Sequence, residues 1–524
     1  MAQGARRPLR HQRQSRQLTT RDAEERTAQS TRSSSHEDLI ELEKIISILS
    51  SVSPEELRAA RVNDQDSADY LRTYLRPITQ SVDVDIELYA LIAVIVSLCV
   101  HSWYKNITPD REINDKLVDV IAACLESVQK RLVKIDLLAL LLDDIPALIT
   151  EHLHALEFAN QAQVSSADRD EVRKVYHAIR THPALGPVPI SQDDVPSHRQ
   201  NQSEWCQVVV DKVLPLVLPP EDMHNPGLYV IVREIFSELI LLHGVCEKLC
   251  ESWFLWETIT RVLTLTTTPM STARPASSES PASRTVTLEH MLIWIQTAWH
   301  ILLSAWCILL MSLSDSRKGI TNAAFAPSED LVARMKSQRD SDNLGPQQAA
   351  RTLNRQPLLE MKLWTCAAYL TRIAQRMPWL NGGLSLLQYL LLHGPGKVGG
   401  QGSTLDRWLK NQIKRKFLQP SVLPGVLRTA RQSLFPGGAF APARPLPSLN
   451  EVLTIRQACG EAVLEAIPLS MRRVYFATTN REVMLRDVLK TVDLLADPYI
   501  NKALIISIVE LIVSQLFPEL RAVC

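Results

Sequence analysis

The sequence predicts an all-α protein, and three observations carry that prediction. Apolar residues recur at helical spacing along nearly all of the chain from Glu37 onward, several segments open with helix-start chemistry, and no stretch of any length alternates with a period of two or carries an Asn-Gly hairpin signal. The chain has 524 residues, 46% hydrophobic and 22% charged, so it can bury a sizeable core. Its 57 basic residues balance 57 acidic ones, which removes the electrostatic footprint of a dedicated nucleic-acid binder. Nine cysteines are scattered, mostly in apolar stretches such as those around Cys99, Cys124 and Cys366. That usage fits small buried hydrophobes in a reducing compartment rather than a disulfide framework.

Residues 1–34 carry Arg6, Arg7, Arg10, Arg13, Arg16 and Arg21 before the first acidic residue, among Gln, Ser and Thr. This reads as a disordered basic tail. Leu9 and Leu18 cannot build the amphipathic face of a mitochondrial presequence, and no apolar core of a secretory signal is present. A cytoplasmic, non-secreted protein is expected.

Residues 35–265 read as a helical domain. At Ser53-Pro54-Glu55-Glu56 the serine can cap, proline suits the first helical position, and Glu56 can reach back to complete a capping box. The run Asp85 to His101 is apolar enough to suggest a membrane span. Its uninterrupted apolar part is about a dozen residues, short of the ~20 needed to cross a bilayer, so a buried helix is predicted. Thr108-Pro109 opens the next helix, where Leu117, Val120, Ile121, Cys124, Leu125 and Val128 share one side. Residues 185–202, rich in proline and polar side chains, read as a loop.

A Ser/Thr/Pro linker follows at 266–287, an apolar helix at 288–313, a polar linker at 314–355, and a second helical region at 356–524. Met291–Leu313 is 23 residues without a formal charge, long enough to span a bilayer. Leu292, Trp299, Leu303, Trp306 and Leu310 line one side, with Thr297, His300, Ser304 and Cys307 beside them. A helix packed in protein is the leading reading, with a membrane-inserted segment and a cavity-lining helix as competitors. On the last reading Leu292, Trp294, Trp299, Leu303, Trp306 and Leu310 are the lipid-cavity candidates. In LDRWLKNQIKRKFL, Leu405, Trp408, Leu409 and Ile413 form an apolar side and Arg407, Lys410 and Lys414 a cationic one. The edge of a bundle is the favoured reading. An anionic membrane surface is the competing one, with Trp408, Lys410, Lys414, Arg415 and Lys416 as its contact residues.

Catalytic and metal chemistry find little support. His393 to Gly399 contains a formal G-x-G-x-x-G, but it follows the helical segment Leu384–Leu392 rather than a strand, so a helix-terminating glycine turn is predicted. His243, Cys246 and Cys250 would share one face of an α-helix, yet a fourth ligand is missing and the leucines around them read as core. With no nucleophile elbow, zinc-protease motif or evident triad, no enzyme activity, cofactor or metal is expected.

Several of these segments, in order, resemble the PXA (PX-associated) domain of a branch of the sorting nexins and of related fungal proteins. They are His101-Ser102-Trp103-Tyr104, Ile107-Thr108-Pro109-Asp110, Arg131 to Asp136, Glu151-His152, Tyr176-His177, His182 to Leu185, Leu218 to Asp222 and Val232 to Ile235, covering about 68–262. Ala466-Ile467-Pro468, Ile500-Asn501-Lys502 and Leu516 to Leu520 are similar to the nexin C-terminal domain. No segment resembles a PX or RGS domain. The resemblance implies that the two halves pack into one helical module with an elongated apolar cavity suited to lipid or fatty acyl chains. The expected function is that of a non-enzymatic peripheral protein of endosomal or endoplasmic-reticulum trafficking that binds lipid, with transfer as its extension. The alternatives are a scaffold for trafficking proteins without lipid cargo and a tether anchored through residues 291–313.

Overall fold

The computed structural model describes residues 75–97, 112–162, 169–267, 356–394, 397–417, 422–435, 446–467 and 469–522, together with 45–47, 49, 104 and 106. Among these, every regular element is helical and no strand occurs. The apolar segment 288–313, the polar linker 314–355 and the basic tail lie outside the described residues, as does the Ser/Thr/Pro linker from residue 268 onward; its first two residues still belong to a helix.

Helix α1, Val82–Val96, is the apolar run of the sequence. Asp83 and Asp85 occupy its first turn, where carboxylates favour the positive end of the helix dipole, and Asp85 accepts the Thr79 N–H at 2.8 Å. Val84, Tyr89, Ile92, Ala93, Val94 and Val96 are all buried, so the helix is enclosed on several sides. Asp85 and Glu87, the acidic residues at the start of the run, are themselves inside the protein. Glu87 is 2% exposed and accepts from Arg428 Nε at 2.6 Å and Arg431 Nη2 at 3.2 Å. These arginines sit on the helix Val422–Leu434, so a buried ion pair ties α1 to a segment more than 340 residues away. Arg431→Ala is expected to lower stability by roughly 1.5–3 kcal/mol, the cost of a buried hydrogen bond to a charged group, because Arg428 keeps its own contact with Glu87. A urea denaturation midpoint equal to that of the parent would contradict this.

Helix α2, Glu112–Leu132, crosses α1 and buries Leu117, Val118, Val120, Ile121 and Cys124, close to the face read from periodicity. A short helical start at Leu137–Ala139 passes through a π turn, Leu140–Asp144, into α3, Ile145–Gln161. Then come α4, Arg169–Ile179, and α5, Asp194–Val217. The expected loop at 185–202 therefore ends at Asp194. Asp194 accepts from Ser191 Oγ and N–H, and Pro196 falls in the first turn, where its missing N–H costs nothing. The polar run that suggested a loop contains His198 and Gln202, which turn inward and bond each other.

Helix α6, Pro226–Glu234, begins at an Asn225 cap and continues as a π-wound segment, Ile235–Leu249. The buried positions Ser237, Leu242, Cys246 and Cys250 are spaced four or five apart, as the wider winding requires. His243 consequently leaves the face of Cys246 and Cys250. It meets Glu238 O, Arg199 and Glu247 near the surface, while both cysteines stay buried. Helix α7, Ser252–Thr267, closes the N-terminal half.

The C-terminal half comprises α8, Leu363–Leu370; α9, Pro378–His393; α10, Thr404–Phe417; α11, Val422–Leu434; α12, Leu449–Ala466; α13, Leu469–Phe476; α14, Arg481–Val492; and α15, Pro498–Leu516. Helix α9 ends at Gly394 as the glycine turn anticipated. A Cβ there would lie 2.2 Å from Leu390 O. Helix α12 starts with a complete Ser448/Glu451 capping box.

The halves are interleaved. Phe517 enters a core built from α1, α2, α5 and α6, while Tyr499, Ile500, Ala503 and Ile506 of α15 join a second core of α3, α4, α5 and the π segment. Trp256 of α7 packs in a third with α12 and α14, donating Nε1–H to Val492 O at 3.0 Å. Helix α15 is long and apolar enough to cross a membrane by length and composition, and here it is wrapped between helices of the N-terminal half.

Candidate functional site

Small residues on facing helices open a groove beside α15. On α3 the groove is lined by Ala155, and on α15 by Ala503 and Ser507, which are one turn apart, so neither helix fills the space between them. The result is a groove of about 810 Å³, within the roughly 300–1,000 Å³ of ordinary small-molecule sites. Ala155, Leu185 and Ala503 form its apolar base, and Phe158 and Ile179 stand exposed at its rim. Arg180 and Glu151 pair across the edge at 3.4 Å.

At the far end, Glu510 Oε1 meets His182 Nε2 at 2.9 Å and accepts Trp205 Nε1–H at 3.2 Å. Burial alone would raise the carboxyl pKa, but the hydrogen bond and charge of His182, with the indole donor, hold it below the usual carboxylate range. Past Glu510 lies a second pocket of about 400 Å³, lined by Trp205 and Val209 of α5, Val509 and Val513 of α15, and Leu520. Both pockets share Glu510 and follow α15 from Ala503 to Ser514, a distance of about 16 Å at the helical rise. The groove is thus a track with an apolar floor, edged by Glu151, His154, Arg180 and Thr181 and crossed at its end by the Glu510 carboxylate with its two partners. On its outer side, Tyr369 of α8 stacks obliquely on His154 at 4.5 Å and hydrogen-bonds Glu157.

Residues singled out in the sequence fall in three places. Leu292, Trp294, Trp299, Leu303, Trp306 and Leu310 lie outside the described residues. Asn501 and Tyr499 are structural. Asn501 Nδ2–H donates to Cys250 O and Leu495 O, and Tyr499 OH meets His177 Nδ1 and Leu185 O, which fixes α15 against α4 and the π segment. Trp408, Lys410, Lys414 and Arg415 are on α10. Trp408, Lys414 and Arg415 are exposed, whereas Lys410 Nζ is held by Asp406 Oδ2 at 2.9 Å and Gln356 O at 3.1 Å. Lys416 continues the same helix, and its side chain lies outside the described residues. The groove itself was not foreseen residue by residue. Its signal in the sequence is the small-residue spacing of Ala503 and Ser507 in the apolar helix 498–516.

Residues 81–262, from α1 through α7, match the PXA domain, and the chain carries a PXA domain over that stretch. PXA domain protein 1 of Schizosaccharomyces pombe (strain 972 / ATCC 24843) is 26% identical over 151 residues, covering 29% of this chain and 28% of that protein. The chain thus matches little more than a quarter of that relative's length. No solved structure matches. The groove lies where the PXA domain meets α15, outside the matched stretch, so one wall comes from each half.

Proposed function

We propose that this is a non-enzymatic, peripheral protein of membrane trafficking, related to the sorting nexins through its PXA domain, that holds a lipid acyl chain along α15. The observation that carries the reading is the paired apolar track between the PXA helices and α15. Its apolar floor of Ala155, Leu185 and Ala503 suits a flexible hydrocarbon, and the polar side chains along it, Glu151, His154, Arg180 and Thr181 at one edge and the Glu510 cluster at the end, suit a polar headgroup. The resemblance of Ile500-Asn501-Lys502 and Leu516 to Leu520 to the nexin C-terminal domain supports it, because these residues lie on α15 and just beyond it. Cytoplasmic residence against endosomal or endoplasmic-reticulum membranes follows from the same reading, as does transfer of the bound chain between membranes.

The test is lipid extraction and native mass spectrometry of the full-length protein purified without detergent. Ser507→Trp, which fills the groove from its α15 wall, is expected to lower retained or exchanged lipid roughly tenfold or more, with the far-ultraviolet circular dichroism spectrum unchanged. A parent protein that carries no lipid and takes up no labelled fatty acid sinks the proposal and leaves a protein-binding trafficking scaffold in its place.

A further inference from the structure

Helix α9 is apolar on both its inner and its outer face. Its 16 residues, PWLNGGLSLLQYLLLH, contain no Asp, Glu, Lys or Arg, and none of them is buried. Trp379, Leu386 and Leu390 fall at i, i+7 and i+11, on one face, and Trp379 and Leu386 are 69% and 60% exposed. Leu387 and Tyr389 flank that stripe and are also exposed. The side turned to the protein carries the half-buried Leu391 and Leu392 beside Gln388, whose Nε2–H donates to Leu359 O. The outer face is therefore apolar as well, where the outer face of a surface helix in a soluble domain is polar. A contiguous exposed patch of this kind marks an interaction surface.

The charge around α9 identifies the partner. Residues 361–450 contain twelve Lys and Arg side chains and one acidic residue, Asp406, a segregation that the neutral whole chain conceals. Asp406 is already occupied by Lys410 and the Leu358 N–H. Arg372, Lys397, Arg407, Lys414 and Arg415 have no carboxylate partner among the described residues. Helix α10, which carries three of them and the exposed Trp408, rests on the same turn as α9: Asp406 binds Leu358 N–H, and Lys410 binds Gln356 O. One junction therefore holds an uncharged leucine face beside a cationic helix. At about 24 Å, α9 is too short to span the roughly 30 Å hydrocarbon core but suits an in-plane position at the interface, with Trp379 near one end and the stacked Tyr389–His393 pair at the other.

We infer that α9 and α10 together form a docking surface for an anionic lipid bilayer, α9 inserting its Trp379–Leu386–Leu390 face among the acyl chains and α10 pairing with the headgroups. This extends the peripheral-membrane part of the proposed function and is independent of occupancy of the α15 groove. Extracted lipid reports the groove, vesicle binding reports this face, and either can fail alone.

The experiment is co-sedimentation of the full-length protein with phosphatidylcholine vesicles, with and without phosphatidylserine, at low and high salt. Binding is expected to require phosphatidylserine and to weaken with salt. Leu386→Glu combined with Leu387→Glu, and separately Lys414→Glu combined with Arg415→Glu, are each expected to weaken it roughly tenfold or more. All four side chains are exposed, and an unchanged thermal midpoint verifies folding. Three results overturn the inference: no binding to phosphatidylserine vesicles, parent-like binding by the leucine variant, or a solution dimer that the leucine variant dissociates. Cross-linking of residues 291–313 onto α9 in vesicle-bound protein also overturns it, since the face would then be covered by the chain itself.

Discussion

Phe517→Ala is expected to destabilise the protein by about 3–5 kcal/mol, the range for truncating a fully buried phenylalanine, and to loosen the C-terminal helix from the PXA domain. Phe517 is 2% exposed in the core formed by α1, α2, α5 and α6, although it follows α15 near the end of the chain. Arg131 of α2 covers its ring at 4.8 Å, a cation–π contact. The same guanidinium donates to Leu516 O at 3.3 Å, Leu216 O at 3.4 Å and Glu519 Oε1 at 2.8 Å. One arginine thus clamps the ends of α5 and α15 around the ring, with Val513, Leu516 and Leu520 packed beside it, and the alanine variant removes the ring while leaving the clamp with an empty socket. Because α15 supplies one wall of the groove, lipid retention should fall along with stability. Urea denaturation and limited proteolysis check this: the variant should unfold at lower urea and be cut near 493–498 at protease levels the parent resists. Phe517→Leu, which keeps most of the volume, should lose much less. Parent-like proteolysis of the alanine variant would show that α15 is held by its own packing and not by the Phe517 anchor.

The sequence made some of this legible and hid the rest for identifiable reasons. Length decided α1: too short to span a membrane, it had to be buried, and it is. Gly394 was readable because only the end of a helical pattern precedes it. Helix α15 did not stand out, because Asn501, Lys502 and Glu510 punctuate an otherwise apolar segment, and their purpose appears only in three dimensions. His182 and Glu510 are 328 residues apart, Arg131 and Glu519 are 388 apart, and periodicity records neither. The same limit applies to Glu87, which looked like the polar end of a run until Arg428 and Arg431 supplied its partners. The π segment misled in another way. Spacing rules for 3.6 residues per turn placed His243 with Cys246 and Cys250, and the wider winding separates them. Helix α9 was legible as a helix and not as a surface, since leucines at 384, 386, 387 and 390 look like core until the other side is found to be the one facing protein.

Acidification from pH 7.5 to pH 5 is expected to remove about 4 kcal/mol of stability through two buried histidines. His152 and His198 are 2% and 5% exposed, and each has its pKa pushed down to about 4. Burial is the main cause in both, with the charge of Arg180 adding to it at His152 and that of Lys502 at His198. Each ring is neutral in the fold: His152 Nδ1 meets Tyr176 OH at 2.8 Å, and His198 Nε2 meets the Gln202 amide. In the unfolded chain the same imidazoles titrate near 6.5, so below that pH the unfolded state binds more protons than the folded one. Stability is therefore complete above about pH 6.5 and is lost progressively as pH falls toward 4, by about 2 kcal/mol per histidine at pH 5. His177, lowered mainly by burial, acts in the same direction, while Glu251, raised by burial, opposes it. His152→Gln removes one titration and should cut the loss between the two pH values by about half, whatever it does to stability at pH 7.5. Equal urea midpoints for the parent at pH 7.5 and pH 5 would mean that the two imidazoles reach water before the fold yields. Because His198 lies beside Tyr499 and Lys502 of α15, and His152 bonds Tyr176 in the core that Tyr499 and Ile500 of α15 also enter, both protonations disturb the packing of the helix that walls the groove. Acid should consequently release α15, and any lipid held against it, before the α12 and α14 core around Trp256, and hydrogen exchange at pH 5 should show protection lost in that order.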